Sequence, residues 1–128
     1  NVVTTDANNL EKITIPLNRW IDENNYKICY FSCWHKNDFV WSWQLINWLM
    51  RHLQDYDLVH THTVFSPIVS LVNYLCNIKR IPYAMTPHGM LEPWALSYKA
   101  WKKRLYYNHL EQKLLQKANA IHVIADLE

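Results

Sequence analysis

The feature that most restricts the fold of this chain is a repeated switch between two hydrophobic periods. Short runs that suit a pleated strand occur at 1–5, 26–33, 57–61, 82–86 and 120–124, and stretches with helical spacing separate them in three places. Strands alternating with helices predict an α/β chain with a mostly parallel sheet, because joining parallel strands takes a crossover about as long as a helix.

Each helix has a legible stripe. Trp41, Leu45, Trp48 and Leu49 repeat at i, i+4, i+7 and i+8, which predicts a helix over 39–53 with Asp38 as N-cap. Ser66-Pro67 reads as a cap followed by proline at the first helical position, and Ile68, Leu71, Val72, Leu75 and Cys76 form the buried face of a helix ending near Asn77. The run 98–117 has no internal breaker, so a five-turn helix is expected between Pro93 and Asn119.

Composition narrows the function classes. An apolar share of 50% over 128 residues can build a real core in one domain, 1–128. A net charge of +2 lacks the polyanion footprint of a nucleic-acid binder. Cys29, Cys33 and Cys76 are odd in number and lack C-x-x-C spacing, which argues against a disulfide framework and for a reducing compartment, the cytoplasm. No apolar run reaches the roughly 20 residues that span a bilayer. Gly89 is the sole glycine where average usage predicts on the order of nine, so its position carries unusual weight.

In open α/β sheets ligands gather at the carboxyl ends of strands. Here those ends read Thr5-Asp6-Ala7-Asn8, His60-Thr61-His62-Thr63 and Thr86-Pro87-His88-Gly89-Met90, and a parallel sheet brings them to one rim.

Tyr-Asp-Leu-Val-His-Thr-His at 56–62, Ile-Pro-Tyr-Ala-Met-Thr-Pro-His-Gly-Met-Leu-Glu-Pro-Trp-Ala-Leu at 81–96 and Trp-Lys-Lys-Arg-Leu-Tyr-Tyr at 101–107 resemble glycosyltransferase family 4. Val-Thr-Thr-Asp-Ala-Asn at 3–8 and Ala-Ile-His-Val at 120–123 extend the likeness, which is weakest over 10–43. The resemblance implies the Rossmann-like, acceptor-side N-terminal domain of a GT-B fold. The first strand and its glycine loop are missing from that pattern, as is the C-terminal donor domain with its paired glutamates and basic pair. On this reading the chain starts mid-domain at Asn1 and is inactive alone.

The same resemblance assigns His88 to the donor sugar pocket, with Gly89 and Met90 beside it. An imidazole there can bond sugar hydroxyls or stabilise charge developing at the anomeric centre, whereas an unassigned histidine at a strand end simply satisfies backbone groups. Gly89 suits a positive φ or a close approach of backbone to ligand. The acceptor-side candidates are Asp6, Asn8, His62, Thr63 and Phe65. Asp6 and Asn8 equally suit local turn chemistry. Thr63 stands where many relatives have glycine. His60 and His62 point the same way along a strand, as a metal pair would, but no third ligand stands at a recognisable spacing. No metal and no cofactor is expected. His62 is therefore assigned to the cleft and His60 to the core, and most of the seven tryptophans to packing.

At 100° per residue, Lys99, Lys102, Lys103, Lys113 and Lys117 fall within roughly a third of the helix circumference. Such a stripe is either a solvated face or a route to peripheral contact with anionic lipid at the inner face of the membrane. The implied activity is retaining transfer of a sugar from a nucleotide diphosphate sugar to a glycan or lipid-linked acceptor, in polysaccharide or cell-envelope biosynthesis. The rival is a non-catalytic α/β module that binds a ligand or partner at the same rim.

Overall fold

The computed structural model describes residues 1–7, 15–36, 39–92 and 100–124, with the side chains of His35, Lys36, Ala100, Lys102 and Lys103 outside that description. Contacts group the chain into two compact units, Asn1–Arg51 and His52–Glu128.

In the first unit β1 (Val2–Thr5) runs parallel to β3 (Tyr26–Phe31), with Val2 opposite Ile28 and Thr5 opposite Phe31. The other edge of β3 pairs antiparallel with β2 (Trp20–Glu23). The periodicity of the sequence does not foretell this hairpin, although Asn24-Asn25 tolerates the tight turn between its arms. A second hairpin joins β4 (Trp34–Lys36) to β5 (Phe39–Trp41), with Trp34 opposite Trp41.

The first helix therefore starts later than its stripe predicts. α1 covers Trp43–His52. The N-cap is Ser42, whose Oγ accepts the Leu45 N–H at 3.1 Å and donates its own hydrogen to Ser32 O at 2.7 Å. Phe39-Val40-Trp41 is an aromatic and β-branched triplet, and strand pairing outweighs its helical spacing there. Asp38, the expected cap, lies outside the described residues. Leu45, Ile46 and Leu49 are buried, and Trp48 packs against Trp20 and Phe31 with ring centroids 5.8 Å away in each case.

In the second unit a 3-10 turn (Leu53–Asp55) leads to β6 (Val59–His62), α2 (Pro67–Lys79), β7 (Tyr83–Thr86), a long broken helix, and β8 (Ala120–Ile121). The strands lie in the order β6-β7-β8, all parallel. This is the mixed α/β, helix-flanked parallel arrangement that the alternating periods predict, although the eight strands of the described residues fall into three sheets. β7 is central and almost wholly inside: Tyr83 is 1% exposed, Met85 0% and Thr86 1%. The Tyr83 hydroxyl donates to Leu114 O at 2.5 Å and accepts from Asn77 Nδ2 at 3.1 Å, tying α2 and the last helix to the strand between them. Among the described residues no helix is long and apolar enough to cross a membrane.

The long helix is continuous over 100–117, but its centre is a π turn. α3 (Ala100–Tyr106) passes through Tyr107–Glu111 into α4 (Gln112–Lys117), and the Gln112 N–H bonds Tyr107 O, five residues back. A π turn holds one residue more than an α turn, so every later position rotates by roughly 100°. Lys113 and Lys117 of the expected five-lysine stripe are both exposed and stand past that turn, whereas Lys99 and the side chains of Lys102 and Lys103 lie outside the described residues.

α2 runs to Lys79, past the expected end at Asn77. Arg80 then takes a left-handed conformation, φ 58, with its N–H on Asn77 O at 3.3 Å and the Ile81 N–H on Cys76 O at 2.9 Å. Those two bonds make a Schellman cap, in which the left-handed site normally holds glycine. Replacing Arg80 by glycine should raise the thermal midpoint, because a left-handed side chain costs about 1 kcal/mol. A midpoint that stays level or falls in Arg80→Gly would contradict this account of the cap.

Candidate functional site

The rim at the carboxyl end of the second unit's sheet carries four histidines. Parallel pairing sets His60 opposite Ala84 and His62 opposite Thr86. The period of two turns Thr61 inward, where its Oγ1 donates to Asn73 Oδ1 at 3.0 Å, and turns His60 and His62 to the open face. His60 is thus exposed, contrary to the expected place in the core. A buried imidazole would need both nitrogens satisfied, and the packed side of β6 already belongs to Thr61.

The chain leaves β7 through Pro87-His88-Gly89-Met90, where the Met90 N–H bonds Pro87 O at 3.3 Å. Both central residues have positive φ, His88 at 55 and Gly89 at 72, the pattern of a type I′ turn. A Cβ built on Gly89 would meet Glu92 Oε1 at 3.4 Å, an ordinary contact, so the backbone angle rather than a lack of space is what calls for glycine. The turn sends the His88 ring back towards β6. Its Nε2 lies 3.0 Å from His62 Nδ1, and the two rings stack with centroids 5.2 Å apart.

Two further contacts extend this pair into a row. The His60 ring centroid is 4.6 Å from that of His62 and 6.0 Å from that of His122, the first residue past β8. Thr86 Oγ1 sits between His60 and His122, 2.7 Å from His60 Nε2 and 3.2 Å from His122 Nδ1. A hydroxyl has one hydrogen and two lone pairs, so it can donate to only one of these rings and accepts from the other or from both. His122 is not among the residues that the sequence singles out; its one signal there is a histidine at the end of a run that pairs beside β7.

The neighbouring rings limit the charge of His62. Partial desolvation beside its neighbours lowers the proton affinity of the otherwise exposed His62 below the usual imidazole value, and His60, His88 and His122 lower it further. A neutral His62 can bond His88 only if one ring brings the hydrogen and the other a lone pair. The outer nitrogen of His88 is then left to meet a ligand. His60 and His122 have each committed a nitrogen to Thr86, and among the described residues no group of three or more His, Cys, Asp or Glu is arranged to hold a metal ion.

The other predicted residues divide by unit. Thr63 and Phe65 flank the rim with left-handed backbones, φ 75 and 61, an outlier geometry for a β-branched threonine. Thr63 therefore occupies a conformation made for glycine. Its N–H is held by Thr86 O at 2.8 Å, and Val64 between the two strained residues is buried to 1%. Asp6 belongs to the first unit, where its Oδ1 accepts the Cys33 N–H at 2.8 Å in a buried, local role. Asn8 lies outside the described residues.

A parallel sheet with its polar, strained loops at one rim defines an α/β domain of the type that binds ligands at strand ends. The profile of Glycosyltransferase Family 4 matches residues 2–126, and the chain belongs to that family, whose domain is the N-terminal half of a GT-B fold. No curated protein and no solved structure gives a significant match.

The row of rings has a measurable consequence. A folded-state proton affinity below the unfolded value means that His62 adds stability above the usual imidazole range, near pH 6.5, and loses it as pH falls through the lowered folded value. In an NMR titration the His62 ring should show a midpoint below about 6.5 that rises in His88→Ala, because one like-charged neighbour is gone. A midpoint unmoved or lowered in the variant would refute the electrostatic coupling.

Proposed function

We propose that this chain forms one wall of a glycosyl-transfer site, in an enzyme that moves a sugar from a nucleotide diphosphate sugar to a glycan or lipid-linked acceptor with retention of anomeric configuration. Membership of the family supports the glycosyltransferase class. One observation carries the finer reading: His88 stands on a left-handed turn at the carboxyl end of β7, backed by His62 at 3.0 Å.

The chemistry asked of this wall is positioning and charge stabilisation. Transfer from an activated sugar passes through a transition state with positive charge at the anomeric carbon, and a fixed neutral dipole lowers its energy without reorganisation. The bond to His62 holds the His88 ring and ties its tautomer to that of His62, and the His88 nitrogen turned away from His62 is free to bond a sugar hydroxyl or face the developing charge. Gly89 and Met90 complete the turn that aims the ring, while Thr63 and Phe65 border the side from which an acceptor would approach. The leaving diphosphate would be held by the donor domain of the full-length protein.

In the full-length protein His88→Ala should lower turnover by roughly a hundredfold to a thousandfold, the usual loss when one preorganised stabilising group is removed, with an unchanged circular dichroism spectrum. Near-normal transfer by a folded variant would overturn the assignment of His88.

A further inference from the structure

Beneath the strained segment after β6 lies a carboxyl group that the proposed transfer does not use. Glu111 closes the π turn and is 0% exposed. Its Oε1 accepts the Phe65 N–H at 3.2 Å and shares a hydrogen with Ser70 Oγ, while its Oε2 has no partner among the described residues. Among the described residues no ion pair includes Glu111. The titratable groups around it are Tyr106 and Tyr83, and Cys76 beside Tyr83, all neutral over the ordinary pH range.

We propose that Glu111 is a neutral carboxylic acid in the folded protein and that this buried contact latches the segment Thr63–Ser66 to the long helix until ionisation draws the carboxyl towards water. The proton inventory supports this. Ser70 Oγ has one hydrogen and three oxygen neighbours: Ser66 O at 3.0 Å, the Tyr106 hydroxyl at 2.8 Å, and Glu111 Oε1. With the carboxyl protonated, Glu111 donates to Ser70, Ser70 donates to Ser66 O, Tyr106 donates to Ser70, and Phe65 donates to Glu111. Every contact is then a hydrogen bond. An ionised Glu111 would claim the Ser70 hydrogen, leave the Ser70–Ser66 contact without one, and strand a charged oxygen with neither donor nor counter-ion.

The π turn belongs to the same device. The extra residue in that turn sets Glu111 on the buried side with Leu114 and Leu115, where it reaches Phe65 of one segment and Ser70 of another. Glu111 acts on the rim only through Phe65 and Ser66, so it is a positioning residue: its bond to the Phe65 N–H helps hold a left-handed backbone that would otherwise relax. That the latch matters for transfer rests on the function proposed above; its protonation does not.

Burial raises the proton affinity of Glu111, with the bonds from Ser70 and Phe65 opposing in part. A folded value above the unfolded one gives stability that is complete below the usual carboxylate range and is lost as pH rises through the raised folded value. Glu111→Gln keeps the shape and an oxygen that accepts the Phe65 N–H while removing the titration, so it tests the proton without deleting that contact; an alanine there would risk the fold.

Infrared difference spectra between the chain and Glu111→Gln at about pH 7 should show the carbonyl band of a protonated acid in the wild type alone. Hydrogen exchange of the Thr63 and Phe65 amides, corrected for the intrinsic base-catalysed rate, should speed up at least several-fold between about pH 5 and about pH 9 in the wild type and stay flat in the variant. A carboxylate band in place of the acid band, or the same pH profile in both proteins, would overturn the proposal. Both readings need no sugar and no turnover, so their failure leaves the role of His88 standing, and the failure of His88 leaves the latch standing.

Discussion

The parallel register between β6 and β7 is the constraint on which the rest of the second unit depends. With His62 opposite Thr86, the last residues of both strands share one rim, and the hydroxyl of Thr86 becomes the point where the rings of His60 and His122 meet. A slip of one residue would turn Thr61 out and both histidines in, burying two imidazoles against α2 without partners. The register is fixed from below by Tyr83, whose N–H donates to Asn119 Oδ1 at 3.1 Å and whose hydroxyl joins two helices. Packing at the bottom of the strand thus sets chemistry at its top.

Strain collects where that rim turns back into the fold. Thr63, Phe65 and His88 all hold positive φ beside Gly89, in a chain with a single glycine for such sites. Each non-glycine residue in that region costs of order 1–3 kcal/mol and persists only where its surroundings over-determine it. Here the surroundings are named: Thr86 O holds the Thr63 N–H, Glu111 holds the Phe65 N–H, and the Val64 side chain is seated in the core. A rim so held is preorganised, which a site that acts by positioning requires.

Much of this is legible in the sequence, for reasons that can be stated residue by residue. The switch of periods locates α2, β7 and the long helix, the sole glycine at a polar strand end marks Gly89, and the resemblance to the family singles out His88. What escapes is set by partners distant in sequence. Phe39-Val40-Trp41 has the spacing of a helix and the residues of a strand, and only pairing with Trp34–Lys36 decides between them. The place of His60 depends on which side of β6 meets α2, and the bond from Thr61 to Asn73 settles that. Glu111 stands on the stripe with Leu114 and Leu115, where a charged residue signals a buried partner, but the π turn that places it has no sequence signature.

The central claim is that His88, backed by His62 at the β6–β7 rim, faces the sugar donor. Its most direct measurement is the imidazole NMR spectrum of the full-length protein during titration with nucleotide diphosphate sugars. The His88 and His62 resonances should move saturably with a donor, while those of His52 and His109, which stand outside the row, stay in place. Movement confined to His52 or His109, or no movement of His88 at saturating donor, would contradict the claim.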